Sequence, residues 1–291
     1  RCAPGWSRGT SSTRSPTAAW SRRVPRVFHH HTLWEEYVDY LPVPKQATRL
    51  ASIAVCRWLA QRCQGVIAPS EKVKERFAAH GVTRPIAVIP TGIRGDDFRD
   101  GTPRPELTEG EEVCLYMGRL AHEKSLDVLV RVFAQLHEER PQTRFWLVGD
   151  GPARASLEQS VAEAGLSGAV RFFGFVDRST LKDFLASAKL FLFASQTETQ
   201  GLVLLEAQAA GVPVVAVRAS GVDEAVEPDK TGFMVEPGDE QAMATHSLEL
   251  LSDPEKHEKF SEAAQKWSSG FSIEQMGESL VEAYRKAIET A

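Results

Sequence analysis

From residue 113 onward the sequence alternates short apolar runs with amphipathic stretches, and no other feature restricts the fold as much. Strands are predicted at 113–117, 145–148, 170–173, 190–193, 212–217 and 233–235, with helices near 126–138, 153–164, 180–187, 202–210 and 222–227 between them. Strand and helix in strict succession at this spacing dictate an α/β fold with a parallel, doubly wound sheet, since each parallel strand needs a crossover to return to the same edge. The tail, at 240–251, 254–267 and 273–288, is helical by the same criterion. Ligands of such sheets bind beyond the carboxyl ends of the strands, so function is to be sought in the loops that follow each apolar run.

The loop after 190–193 is the richest. Ser195-Gln-Thr-Glu-Thr-Gln-Gly-Leu-Val-Leu-Leu-Glu206 carries two glutamates eight residues apart across Gly201. They are poorly placed for a glycosidase acid and base flanking one bond: Glu198 stands before the glycine and Glu206 one to two helical turns beyond it, so they reach different parts of an extended ligand. One carboxylate can accept hydrogen bonds from sugar hydroxyls and the other from a ribose diol. The backbone amides of Thr199, Gln200, Gly201 and Leu202, at a helix start, suit phosphate or hexose. The alternative is one capping glutamate and one exposed helical glutamate.

Gly118-Arg-Leu-Ala-His-Glu-Lys124 follows the strand at 113–117 and ends where a helix begins. The Arg119 guanidinium can fork onto two diphosphate oxygens while Lys124 acts as a compact point charge. A departing nucleoside diphosphate gains charge, so both cations would favour the transition state over the ground state. Equally, both can be solvated charges at a loop. Gly149-Asp-Gly-Pro152 closes the next strand; Gly149 and Gly151 permit close approach to a ligand, but the GxGxxG spacing is absent and a plain turn is the simpler reading.

The front of the chain differs. Residues 1–26, rich in Arg, Ser, Thr, Pro and Trp, show neither period and no continuous apolar core, which suggests a disordered or foreign segment in place of the native beginning. A strand is predicted at 24–29, a basic amphipathic helix at 45–64 with Leu50, Ile53, Ala54, Cys56 and Leu59 among its apolar positions, and strands at 65–68 and 86–89. Pro69-Ser-Glu-Lys starts a helix with proline and an acid in its first turn. A linker rich in Gly, Pro and charge follows at 95–110. Three strands are too few for a full nucleotide-binding half.

With 42% hydrophobic and 25% charged residues, the 291-residue chain has the make-up of one or two soluble domains. A net charge of −5 argues against general affinity for nucleic acid. Residues 1–65, however, carry ten Lys and Arg against Glu35, Glu36 and Asp39, a balance of +7. The basic helix either lies on anionic lipid headgroups with Trp58 at the interface or packs inside its own domain. The four cysteines lack CxxC spacing, which points away from zinc and disulfides and toward a reducing, cytoplasmic setting, with Cys56 and Cys63 buried. No run of eighteen apolar residues is present. In His29-His30-His31 the first and third share a strand face, but without a third ligand nearby no metal site is expected.

Taken together, Glu198-x7-Glu206 with Gly201-Leu202, Gly118-Arg119 through Glu123-Lys124, Gly149-Asp-Gly-Pro152 and Pro69-Ser70 resemble the family 4 retaining glycosyltransferases, from about Val27 to the C-terminus. The resemblance implies a GT-B fold of two Rossmann-like domains: a partial acceptor-side domain at 27–108, a nucleotide-sugar-binding domain at 109–270 and a crossover helix at 271–291. It implies hexose transfer from a nucleotide sugar with retention. By position Arg119 and Lys124 hold the diphosphate, Glu206 the ribose, Glu198 and the neighbouring amides the hexose, while Phe175 and Val176 lie against the base. No Asp-x-Asp occurs, in keeping with metal independence, and no cofactor beyond the donor co-substrate is expected.

His31-Thr-Leu-Trp-Glu-Glu-Tyr-Val-Asp-Tyr40, with Thr197-Glu-Thr-Gln-Gly201, is similar to members that glucosylate diacylglycerol. That similarity implies His31 near the reacting sugar, UDP-glucose as donor, a lipid or other hydroxyl acceptor, and a peripheral place on the cytoplasmic membrane face. A member begins with a complete Rossmann half and a glycine-rich loop, which this sequence does not display. Three readings therefore stand: a glucosyltransferase, another GT-B enzyme of epimerase type, or a nucleotide-sugar-binding unit that does not transfer.

Overall fold

The computed structural model describes residues 24–31, 45–106 and 109–290. Two parallel sheets form, one small and one large. In the small sheet, strands β1 (Val27–His29), β2 (Gly65–Ala68) and β3 (Ile86–Val88) lie in that order. Helices α1 (Lys45–Gln61) and α2 (Glu71–Ala79) supply Cys56, Ala60, Val73 and Phe77 to a compact cluster with Val66, Ala68 and Val82.

The large sheet contains β4 (Glu112–Met117), β5 (Thr143–Val148), β6 (Val170–Gly174), β7 (Ala188–Phe193), β8 (Val214–Val217) and β9 (Gly232–Val235), in the spatial order β6-β5-β4-β7-β8-β9. All its pairings are parallel. The central strands are covered on both faces, which is why they read as unbroken apolar runs rather than as alternations. Helices α3 (Leu126–Glu139), α4 (Arg154–Glu163), α5 (Leu181–Ser187), α6 (Leu202–Ala209), α7 (Glu240–Ser252) and α8 (Pro254–Ser268) provide the layers. In α3 the buried stripe Leu126, Leu129, Val130, Phe133 and Leu136 follows the helical period. Strand order reverses between β4 and β7, and a crevice opens at the carboxyl ends of these two strands.

The chain passes between the halves twice. Ile93 N donates to Phe271 O at 2.8 Å and Ile93 bridges Ser272, so the crossings lie side by side. Helix α9 (Ile273–Glu289) then starts from a capping box made by Ser272 and Gln275. It returns over the small sheet, where Ala283 and Ala287 share an apolar cavity of about 100 Å³ with Val27, Ile67 and Ala87.

Several expectations need correction. Residues 221–225 form successive turns and 226–227 are irregular, in place of a helix: six residues are too few to propagate one, and Pro228 closes the segment. The segment 95–110 is no free linker. It opens with a single 3-10 turn, Gly95–Phe98, that buries Phe98 in the large core, and Thr102 N and Arg104 N donate to Asp183 Oδ1 and Ser187 Oγ at 2.9 and 2.8 Å. Pro69 precedes α2, whose N-cap is Ser70. In α1, Leu50 and Ala54 are exposed among the described residues, and only Cys56 and Ala60 are fully buried. Cys56 and Cys63 are buried and unbridged. The segment 1–23 and the stretch 32–40 that follows His31 lie outside the described residues.

Candidate functional site

The crevice between β4 and β7 widens into a cleft of about 890 Å³ against the small half. Every candidate residue lines it: Gly118, Arg119 and Lys124 after β4; Gly149 and Gly151 after β5; Phe175 and Val176 after β6; Glu198, Thr199, Gln200, Gly201, Leu202 and Glu206 after β7; and His31 from the opposite wall. Chain topology explains this convergence. Parallel strands end on one edge, so loops distant in sequence meet there.

At the centre, Lys124 Nζ and Glu198 Oε1 stand 2.5 Å apart, both largely shielded from solvent. Arg119 is exposed beside them. Its loop is fixed from below by Tyr116, whose hydroxyl donates to Arg119 O at 3.1 Å. Burial, with Glu198 and Glu123 nearby, pushes the Tyr116 phenol far above its ordinary range, so it stays protonated and able to donate. Lys124 precedes Ser125, which adopts left-handed φ at the α3 N-cap and turns the chain into the helix.

The floor is main chain. Gly149 N donates to Gly174 O at 2.8 Å, and Gly149 has φ 130°; a Cβ there would lie 1.9 Å from Gly118 O, so no other residue fits. On the β7 side, Gly201 at φ 68° begins α6 without a side-chain cap, leaving the first helical amides turned to the cleft end. Glu206, one turn on, meets Arg178 at 3.4 Å, and the Arg178 guanidinium lies 5.2 Å from the Phe98 ring centroid. Burial raises the Glu206 carboxyl above its usual range, with Arg178 opposing.

The opposite wall is tied in by Thr199 Oγ1, which donates to His31 O at 3.1 Å. His29 and His31 share a face with ring centroids 6.0 Å apart, while His30 is buried on the other face against Phe77. Tyr284 of α9 pairs its hydroxyl with His29 Nε2 at 2.8 Å. No group of three or more His, Cys, Asp or Glu able to hold a metal ion occurs among the described residues. Sequence reasoning missed Tyr116, Phe98, Arg178 and Thr91. The one available signal was Arg178 in the loop that follows β6; the others depend on tertiary contact.

Two Rossmann-like parallel sheets enclosing a cleft of this kind define the GT-B class of architecture. The pattern of the glycosyl transferases group 1 matches residues 99–267, more than half of the chain, and that of glycosyltransferase family 4 matches residues 9–96, beginning inside the segment 1–26. The chain belongs to the group 1 glycosyl transferase family. It is 27% identical over 249 residues to alpha-monoglucosyldiacylglycerol synthase of Acholeplasma laidlawii, covering 80% of this chain and 62% of that protein. It is 31% identical to a sulfoquinovosyl transferase of Arabidopsis thaliana, over 83% of this chain and 48% of the other. The chain thus spans about half to three fifths of the length of these curated relatives. Among solved structures, HepE of Anabaena in complex with UDP-glucose superposes with TM-score 0.79 at 26% identity, over 92% of this chain and 74% of that one. Sucrose-phosphate synthase from Thermosynechococcus elongatus does so with TM-score 0.79 at 26% identity, over 94% and 71%.

Proposed function

We propose that the protein transfers a hexose, glucose from UDP-glucose, to a hydroxyl acceptor with retention at the anomeric carbon. The observation that carries this reading is the Lys124–Glu198 pair beside Arg119 at the strand-order reversal, facing His31 across the cleft. Arg119 and Lys124 take the diphosphate; its charge grows as the bond from the anomeric carbon to the phosphate oxygen breaks, so their stabilisation is largest in the transition state. Glu198 and the amides of residues 199–202 hold hexose hydroxyls, and Glu206 accepts from the ribose diol. Phe175 and Val176 bound the base. The acceptor oxygen attacks from the His31 side, its proton passing to the leaving phosphate oxygen. Two cationic side chains already supply charge neutralisation, and we assign no resident metal or cofactor.

The name of the Acholeplasma relative and the exposed face of α1 favour a lipid acceptor such as diacylglycerol. Leu50, Val55 and Trp58 are exposed among the described residues, with Arg62 over the Trp58 ring at 4.0 Å, a combination suited to an anionic cytoplasmic membrane surface. No helix among the described residues is long and apolar enough to cross a membrane.

The test has two parts. Melting is followed with a panel of nucleotide sugars, since a ligand of the native state raises the midpoint with the logarithm of its concentration relative to its Kd. Radiolabelled donor is then supplied with vesicles containing diacylglycerol and anionic lipid. Protection by UDP-glucose and a labelled glycolipid are expected. Failure of every nucleotide sugar to protect or turn over refutes the reading, and protection without transfer assigns the chain a binding role.

A further inference from the structure

Between the two glutamates stands one side chain that the transfer chemistry leaves unused. Gln200 is buried, and its carboxamide accepts from Thr91 N at 2.7 Å and donates to Thr91 O at 2.9 Å. A primary amide satisfies both main-chain groups of one residue at once. A carboxylate has no proton to give the carbonyl, and an apolar side chain leaves both groups without a partner.

Thr91 begins the first crossing between the halves. Its neighbour Gly92 donates through N to Met276 Sδ at 3.2 Å, and Ile93 pairs with the second crossing at Phe271 and Ser272. The crossings form one node, and Gln200 ties the loop 198–201 to it. From the far side the loop rests on the turn 219–225: a Cβ on Gly221 would fall 2.3 Å from Gln200 N and 2.7 Å from Glu198 O. The same turn reaches the small half, where the Glu224 carboxylate accepts from Glu71 N and Lys72 N at 3.0 and 3.1 Å. The loop is held on both sides by groups placed by the junction, and its own helix gives it no side-chain cap.

We propose that Gln200 is a positioning residue: it fixes the loop bearing Glu198 to the crossing at Thr91, so that the donor-side wall keeps its register with the junction of the two halves. Rotation of one half about the other displaces atoms least at the crossings, so a tether made there persists while the cleft opens and closes. A donor then meets Glu198 and the amides of residues 199–202 already placed, without the entropic cost of ordering the loop. The consequence for donor binding rests on the function proposed above; the mechanical statement stands on the geometry alone.

The test compares Gln200→Met, which keeps length and removes both bonds, with Gln200→Glu, which keeps only the acceptor. Amide exchange is read at Thr91 and residues 199–202 of the full chain, together with titration by UDP-glucose. With two hydrogen bonds lost, Gln200→Met is expected to quicken exchange at Thr91 and in the loop by about tenfold and to weaken UDP-glucose by a similar factor, while amides of β4 and β5 keep their protection. Gln200→Glu is expected to leave Thr91 N protected yet loosen the loop, and it carries the test if the methionine variant does not fold. Unchanged loop exchange in the variants overturns the proposal, as does faster exchange with unchanged UDP-glucose affinity. If the unsubstituted chain itself fails to bind UDP-glucose, the donor reading falls separately and loop exchange alone decides the tether.

Discussion

The six-stranded half buries Trp146, Tyr116, Phe133, Phe145, Phe184, Phe191 and Phe193 almost completely, whereas the three-stranded half closes over Phe77, Val66, Val73 and a few small side chains. The large half supports its loops after β4 and β5 from within: the turn after β4 leans on Tyr116, and the floor is locked by main-chain bonds between neighbouring strands, while its loop 198–202 reaches out to Thr91. The small half borrows support. Its helix α2 begins under a carboxylate from the other half, its β1 histidine pairs with Tyr284, and α9 covers its far face. The floor and the turn after β4 are therefore prepared by local packing, whereas the small half and the loop 198–202 lean on the junction, so damage in the two regions should differ in kind as well as in size.

The largest expected effect separates chemistry from stability where the two regions meet, at the Lys124–Glu198 pair. Lys124→Ala and Glu198→Ala should each lower kcat/KM for the nucleotide sugar by about 100-fold or more, with little change in melting. Full activity in both would remove the site assignment. Next come two truncations of like size in the unlike cores. Phe193→Ala and Phe77→Ala each remove a buried ring, at about 3–5 kcal/mol. Phe193→Ala should loosen the whole large sheet, while Phe77→Ala should raise amide exchange in β1–β3 and leave β4 and β7 protected. Loss of protection in β4 on changing Phe77 would show that the halves unfold as one unit.

A smaller effect, about 1 kcal/mol, is expected for Glu224→Ala, which strips the first turn of α2 of its carboxylate and should quicken exchange at Glu71 and Lys72 only. The smallest concerns pH. Burial raises the Glu206 carboxyl in the folded chain, so the native state binds its proton more readily than the unfolded state does. That contribution to stability is present at acid pH and is lost as pH rises through the native value. Glu206→Gln should accordingly melt slightly higher than the parent near neutrality, and the gain should vanish in acid. A constant difference at all pH values would mean that the carboxyl titrates as a solvated one.

Much of this was legible beforehand, for a physical reason. Central parallel strands are shielded on both faces, so 113–117, 190–193 and their neighbours stand out as apolar runs, and the loops bearing Arg119, Lys124, Glu198 and Glu206 follow them directly. What sequence hid was tertiary. Gln200 meets Thr91 across 109 positions and Glu224 meets Glu71 across 153, and no local period reports such partners. Phe98 lay in a polar, glycine-rich stretch whose composition argued for a linker, yet one ring fills the large core. The short predicted helix at 222–227 failed because amphipathic spacing over six residues fits a run of turns equally well.

The glycine floor bears on how such a protein can change over generations. Where Gly118, Gly149 and Gly174 bring three strand ends together, every added side chain collides or strains the backbone, so that surface is closed to ordinary substitution. With the Gly118 and Gly149 amides bonded to Val148 O and Gly174 O, it presents the same fixed surface to whatever enters the cleft. A shift in ligand preference would then have to be written at the rim, at exposed Phe175 and at Arg178, where exchanging a side chain alters the lining without disturbing the sheet.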